Sequence, residues 1–299
     1  KTAGLGALVL PSLVMRCARQ APRPNIILIM ADDMGYSDLG CYGGEIDTPN
    51  LNQLAADGVR FSQFYNNAKC APTRASLLTG LYAQQVGNGK MQNCVTLAEV
   101  LRQAGYRTLM TGKWHADPLP TERGFDRYYG LADGCCNYWN PGEPRPGEPA
   151  PVHKRFPRRW AIDGEVHQPY TPEDPHFYTT DAFTDHALAY LDQYGPEDRP
   201  FFLYVAYNAP HYPLHAWPED IAKYQGTYLK GWDALRRERH QRLIDLGLVK
   251  KEWALSPRDP RVPAWEDVEN KDGWDMAALR DHTLGDLTWE DVLDREAWD

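Results

Sequence analysis

Cysteine is scarce in this 299-residue chain: Cys17, Cys41, Cys70, Cys94, Cys135 and Cys136 are scattered over a length that needs no disulfide framework. No CxxC pair occurs, which argues against a zinc ribbon, and the vicinal Cys135 and Cys136 read either as free thiols or as partners of other cysteines. Positive charge is also short. Against 41 acidic residues stand 32 basic ones, a net charge of −9 that excludes a nucleic-acid surface and a broadly cationic membrane patch. An anionic substrate must therefore be drawn in by a local cluster of cations. No apolar run reaches the roughly 18 residues of a membrane-spanning helix. The run at residues 3–15, between Lys1 and Arg16, reads instead as the core of a secretory signal peptide, so residues 1–21 are expected to be a truncated leader. Since the sequence opens on Lys1 and not on Met, its natural start is expected upstream, and the protein is expected to be periplasmic or secreted.

What is present is enough apolar material, 42% of residues, for a substantial core, and one large α/β domain over residues 22–299 is the expectation. Residues 25–31 form a continuous aliphatic run, the pattern of a strand buried on both faces, ending at Asp32 and Asp33. A helix is predicted over 48–56, with Thr48 as N-cap, Pro49 at its first position and Gly58 closing it. Residues 59–65 alternate like a strand. Further helices are predicted over 72–81, over 97–104 with Gly105 as C-cap, and over 178–194; further strands over 106–110 and 201–207. Residues 140–175, crowded with Pro, Gly and charge, read as a surface excursion, and a polar helical pattern covers 232–248. Alternating strands and helices imply a mostly parallel sheet covered by helices on both faces, and in such sheets ligands bind beyond the carboxyl ends of the strands. Three predicted strands carry their reactive residues there: Asp32 and Asp33, then Lys113 and His115, then His211.

Cys70, Pro72 and Arg74 stand in a Cys-x-Pro-x-Arg pattern continued by Ser76, Leu77, Leu78, Thr79 and Gly80. Pro72 suits the first turn of a helix, which places Cys70 just before it and Arg74 inside its opening turns. An arginine there opposes the helix dipole unless an anion or carboxylate sits nearby. This segment resembles the sulfatase signature, with Thr73 where many members have Ser. The stretch from Gly105 to His115 resembles that family's second signature, Asn25 to Asp33 its first strand and metal pair, and Asn208, Ala209, Pro210 and His211 its later histidine segment. The four matches run in order between about residues 24 and 220.

The resemblance implies an alkaline-phosphatase-like sulfatase fold and hydrolysis of aryl or carbohydrate sulfate monoesters. It implies that a maturing enzyme oxidises Cys70 to Cα-formylglycine, whose hydrate attacks sulfur to give a covalent sulfoenzyme. Asp32, Asp33 and position 70 would be Ca²⁺ ligands. Arg74 and Lys113 would hold the hydrate, His115 would assist sulfate release, and His211 would contact sulfate or protonate the leaving oxygen. Those residue types suit the chemistry, which wants hard carboxylate oxygens for Ca²⁺, cations for a sulfate anion and histidines for proton transfer near neutral pH. Each also has a plainer reading, as a turn cap, a solvated charge or a packed histidine. His215, Trp217, Tyr224 and Trp232 suit either packing or a substrate entrance. An Asp-Asn metal pair and a further lysine, which the family takes from a later strand, have no counterpart here; the similar letters at Asn270 to Gly273 follow no apolar run. The chain therefore reads as the N-terminal portion of such a domain without its C-terminal subdomain, and by itself it is expected to be incomplete as an enzyme, binding Ca²⁺ weakly and turning over sulfate esters at no useful rate. Rival readings are a formylglycine-dependent phosphodiester or phosphonate hydrolase of the same superfamily and a non-catalytic binding paralogue.

Overall fold

The computed structural model describes residues 23–145, 148 and 156–267, and within them the apolar runs become one six-stranded sheet. The leader at 1–21 and the segment around residue 270 lie outside the described residues. In chain order the elements are β1 (Ile26–Asp32), α1 (Pro49–Asp57), α2 (Cys70–Thr79), α3 (Leu97–Gln103), β2 (Arg107–Gly112) and β3 (Arg127–Leu131). There follow β4 (Trp160–Ile162), β5 (Glu165–His167), α4 (Thr179–Tyr194), β6 (Phe201–Pro210), α5 (Pro218–Ala222) and α6 (Trp232–Asp245). The strand order is β1-β6-β2-β3-β4-β5; the first four are mutually parallel, and β4 and β5 extend the sheet as antiparallel strands.

The two-residue period of β6 divides the core. Phe202, Tyr204 and Ala206 face one layer, where Ala75 and Leu78 of α2 and Ala98 of α3 pack; Phe201, Leu203 and Val205 face the other, against Ala187, Tyr190 and Tyr194 of α4. Both faces of this strand are thus covered by helices, as a parallel sheet requires. α3 starts with a full capping box: Thr96 Oγ1 accepts from Glu99 N at 3.1 Å, and Glu99 Oε2 accepts from Thr96 N at 2.6 Å.

Three expectations from sequence need correction. Residues 59–65 form no strand: Val59, Phe61, Phe64 and Tyr65 are 59–85% exposed, because alternation makes a strand only where a neighbour offers a free edge to pair. Residues 140–175 are not merely a surface excursion, since β4 and β5 lie there and Trp160 is fully buried among Tyr129, Tyr170 and Phe183. Three-residue strands are too short to show a period. β1, expected to be buried on both faces, buries one: Ile26, Leu28 and Met30 join the core, while Ile27 and Ile29 are 52% and 58% exposed.

β1 is an edge strand among the described residues, and an unpaired edge beside exposed isoleucines templates association. The chain is therefore expected to self-associate as its concentration rises, and Ile27→Lys with Ile29→Lys to suppress this, as followed by light scattering. A monomer at high concentration without these changes would refute the expectation. No helix among the described residues is long and apolar enough to cross a membrane.

Candidate active site

Because β1, β6 and β2 are adjacent and parallel, their carboxyl ends share one edge of the sheet, and Asp32, Lys113 and His211 all emerge there. Asp32 closes β1 after a register shift between Met30 and Asp32, and is 3% exposed. Lys113 follows Gly112, and its backbone N donates to Ala206 O at 2.7 Å. A Cβ at residue 112 would lie 2.0 Å from Ala206 O, and one at residue 130 would lie 2.2 Å from Gly112 O. Two glycines at positive φ thus let β6, β2 and β3 close up immediately before the lysine.

Cys70 is the first residue of α2, not the residue before it. The start expected at Pro72 is two residues late because a proline at the third helical position still replaces one of the amides that a helix start leaves without a partner. Asn67 clamps the entry, with its N donating to Thr73 Oγ1 at 3.1 Å and its Nδ2 to Ser76 Oγ at 3.0 Å. Cys70 is half-buried and stands one helical turn before Arg74, on the same face.

Arg74 and Lys113 are both fully buried, and both reach one carboxylate oxygen. Lys113 Nζ donates to Asp32 Oδ2, and Arg74 NH2 lies 3.4 Å from the same atom. Arg74 NH1 donates to Lys113 O at 2.8 Å and to the Tyr204 hydroxyl at 3.4 Å. Two cations on one carboxylate leave one positive charge in excess inside the protein. Arg74 Nε and NH2 are moreover buried and make no hydrogen bond. A buried guanidinium with unused donors is the condition that an anion relieves. The dipole conflict posed by an arginine in the opening of α2 is thereby resolved in part by Asp32, across the chain.

Asp33 takes a left-handed conformation, φ 61°, and is exposed; its Oδ2 lies 3.7 Å from His211 Nε2. His211 Nδ1 is 2.6 Å from Tyr212 O, and since a carbonyl only accepts, Nδ1 carries a proton and Nε2 is the nitrogen that exchanges one. Burial, and then the charge of Lys113, lowers the His211 pKa, so its protonated form is the stronger acid. His115, also at positive φ, is held by its backbone N on Ala132 O at 3.1 Å; its ring lies over Gly134, where a Cβ would come within 2.5 Å of Nε2.

The ion pairs thus join Asp32, Arg74 and Lys113, and a second contact joins Asp33 to His211. Cys70 is placed by its helix, His115 by the chain that follows β2. Sequence reading missed Tyr204, which backs Arg74, and Tyr138, whose hydroxyl shares its one proton between His211 O and Asn208 O. Both sit in aromatic-rich stretches that carry no local signal of the role. Among the described residues, no three His, Cys, Asp or Glu side chains group so as to hold a metal ion. Asp32 and Asp33 offer the hard oxygens that Ca²⁺ takes, but two carboxylates are a minority of its usual six to eight ligands. All five described cysteines, including Cys135 and Cys136, are free thiols.

Comparison with known proteins gives a consistent picture. The family model described as Sulfatase matches residues 24–284. An arylsulfatase from Klebsiella aerogenes is 36% identical over 280 residues, covering 83% of this chain and 58% of the relative. Among solved structures, Ps i-CgsB in complex with k-i-k-neocarrahexaose is 33% identical with a TM-score of 0.58, over 75% of this chain and 54% of that one. BT4656 in complex with its substrate D-glucosamine-2-N,6-O-disulfate is 31% identical with a TM-score of 0.54, over 69% and 38%. The chain spans about half the length of the curated relatives it matches, 58% and 50% for two of them.

Proposed function

The chain belongs to the sulfatase family, and from that premise we propose that it hydrolyses sulfate monoesters, with an oxidised Cys70 as the nucleophile. The observation that carries the reading is the buried excess of positive charge at Arg74 and Lys113, with Arg74 one helical turn from Cys70. A sulfate monoester needs compensation of the charge on its nonbridging oxygens, and cations fixed before the reaction provide it without reorganisation.

In this proposal a formylglycine-generating enzyme, or another sulfatase-maturing enzyme, converts Cys70 to Cα-formylglycine. As the hydrate, position 70 would supply one hydroxyl to attack sulfur and a second whose loss of a proton expels sulfate and restores the aldehyde. Arg74 turns its unused Nε and NH2 donors to the anion. Lys113 shares its charge between Asp32 and the oxygens at position 70. His211 delivers the Nε2 proton to the departing alcohol oxygen, and His115 takes the proton from the second hydroxyl. Asp32 and Asp33, with an oxygen of the matured residue 70, would hold Ca²⁺, which would orient the sulfate group and offset its charge. The names of the relatives support aryl and carbohydrate sulfates as the substrate range. A periplasmic or secreted location goes with this reading and rests on the apolar run at residues 3–15.

Peptide mass spectrometry of chain co-expressed with a maturing enzyme is expected to show position 70 as the aldehyde or its hydrate, and the matured full-length protein, which supplies the further metal ligands and lysine, to turn over an aryl sulfate faster than a phosphate diester. Turnover by protein whose position 70 is wholly thiol would sink the mechanism. Faster turnover of the diester would move the reading to the phosphodiester branch of the superfamily, and a thiol with no turnover to a binding role.

A further inference from the structure

His115 sits where two loops meet, and the residues that hold it take no part in the proposed chemistry. Its left-handed backbone, φ 59°, is a conformation that a residue with a side chain keeps only where its surroundings over-determine it. On one side of it Trp114 is anchored, its N donating to Leu131 O at 2.8 Å and its buried indole to Pro118 O at 2.8 Å. His115 itself has two points of support: its N donates to Ala132 O at 3.1 Å, and its imidazole lies against Gly134. Ala132 and Gly134 flank Asp133.

Asp133 is 1% exposed, and Arg159 closes over its carboxylate. Arg159 N donates to Oδ2 at 2.7 Å, while Nε and NH2 donate to Oδ1 at 2.9 and 2.8 Å. Arg159 O in turn accepts from Ala132 N at 3.0 Å. The remaining arm, NH1, donates at 2.8 Å to Oδ1 of Asp117, two residues beyond His115. A planar guanidinium with one edge on a buried carboxylate and the other on the loop that carries His115 fixes the two loops relative to each other. Asp117 is exposed, so the buried end carries most of the constraint.

We infer that Asp133, Gly134 and Arg159 are positioning residues that seat His115, and that they govern the release of sulfate and not the attack on its ester. The inference rests on the sulfatase reading, in which the first half-reaction uses position 70, Arg74, Lys113 and His211, and His115 enters only in the second. There the proton of the free hydroxyl passes to His115, the O–H electron pair closes the C=O bond of the aldehyde, and the C–O bond to the sulfate group breaks with its pair leaving on sulfate. A proton acceptor must lie within hydrogen-bond reach of the proton it takes, and a misplacement of about 1 Å can cost on the order of a hundredfold in rate. The seat leaves no spare room: a Cβ at residue 134 would stand 2.5 Å from His115 Nε2, so even a methyl group displaces the ring.

The experiment uses the matured full-length protein and 4-nitrophenyl sulfate in single turnovers stopped by rapid quench, with mass spectrometry of the position-70 peptide following the rise and decay of its SO₃ adduct. In Asp133→Ala and in Gly134→Ala, decay of the adduct is expected to slow at least about tenfold while its formation stays within about threefold of the parent. In the steady state kcat/KM, which reports only the steps up to departure of the alcohol, should likewise stay within about threefold, so that any loss falls on kcat and KM together. Asp133→Asn keeps Oδ1 for the guanidinium and should release sulfate faster than Asp133→Ala. Circular dichroism checks folding; if Asp133→Ala does not fold, Gly134→Ala decides. Formation and decay slowed alike would make these residues structural, and decay at the parental rate in either folded variant would mean that they do not seat His115; each overturns the inference. A parent protein that forms no adduct overturns the sulfatase reading, and the inference with it.

Discussion

Cys70→Ala in the matured full-length protein is expected to lower kcat on an aryl sulfate by roughly 10⁶-fold, the scale on which an enzyme loses its nucleophile. The fold should scarcely change. Cys70 is half-buried at the first position of α2, and truncating so small a side chain there should cost about 1 kcal/mol or less. The entry of the helix is held by Asn67 on Thr73 and Ser76, none of which the substitution touches. Measuring turnover and chemical denaturation on the same matured preparations separates the two effects. Residual turnover within about a hundredfold of the parent would mean that position 70 is not the nucleophile. A large loss of stability would mean that the thiol is structural.

Asp32→Ala should have the largest effect on stability. Asp32 is the counter-ion of two fully buried cations, and its removal leaves Arg74 with one backbone and one hydroxyl acceptor and takes from Lys113 Nζ the carboxylate it donates to. Breaking a buried ion pair from one side typically costs about 3–5 kcal/mol, because the stranded charge keeps its desolvation penalty. At roughly 2–4 °C per kcal/mol for a chain of this size, Tm should fall by about 10 °C. The double variant Asp32→Asn, Lys113→Met removes one charge of each sign and should recover part of the loss, which makes coupling between the positions measurable. If Asp32→Ala shifted Tm by less than about 2 °C, the cluster of Asp32, Arg74 and Lys113 would not be the one present in solution.

Much of the site is legible in sequence because strand ends are. An aliphatic run that stops at Asp32 and Asp33, another that leads to Lys113, and a third that ends near His211 place those residues on one edge once the strands are parallel, and alternation with helices makes them so. The helical register of Cys70 and Arg74 is legible as well, to within two residues at the start. The failures occur where a local pattern is weak or its partner lies far along the chain. β4 and β5 are three residues each; residues 59–65 have the alternation of a strand and no edge to pair with; Ile27 and Ile29 look like core residues and are exposed.

The sequence by itself therefore determined the kind of fold, the family, and which polar residues stand at the ends of buried strands, because hydrophobic period and motif spacing are local properties. It could not say that Lys113 and Arg74 converge on a single oxygen of Asp32. Nor could it say that Tyr204 backs Arg74 from 130 residues away, or that Tyr138 ties the His211 loop to an aromatic cluster with Trp139 and His215. Those arrangements depend on the strand order β1-β6-β2 and on the close approach that Gly112 and Gly130 permit. Ion pairing and ring stacking act over a few ångströms in space, whatever the separation along the chain.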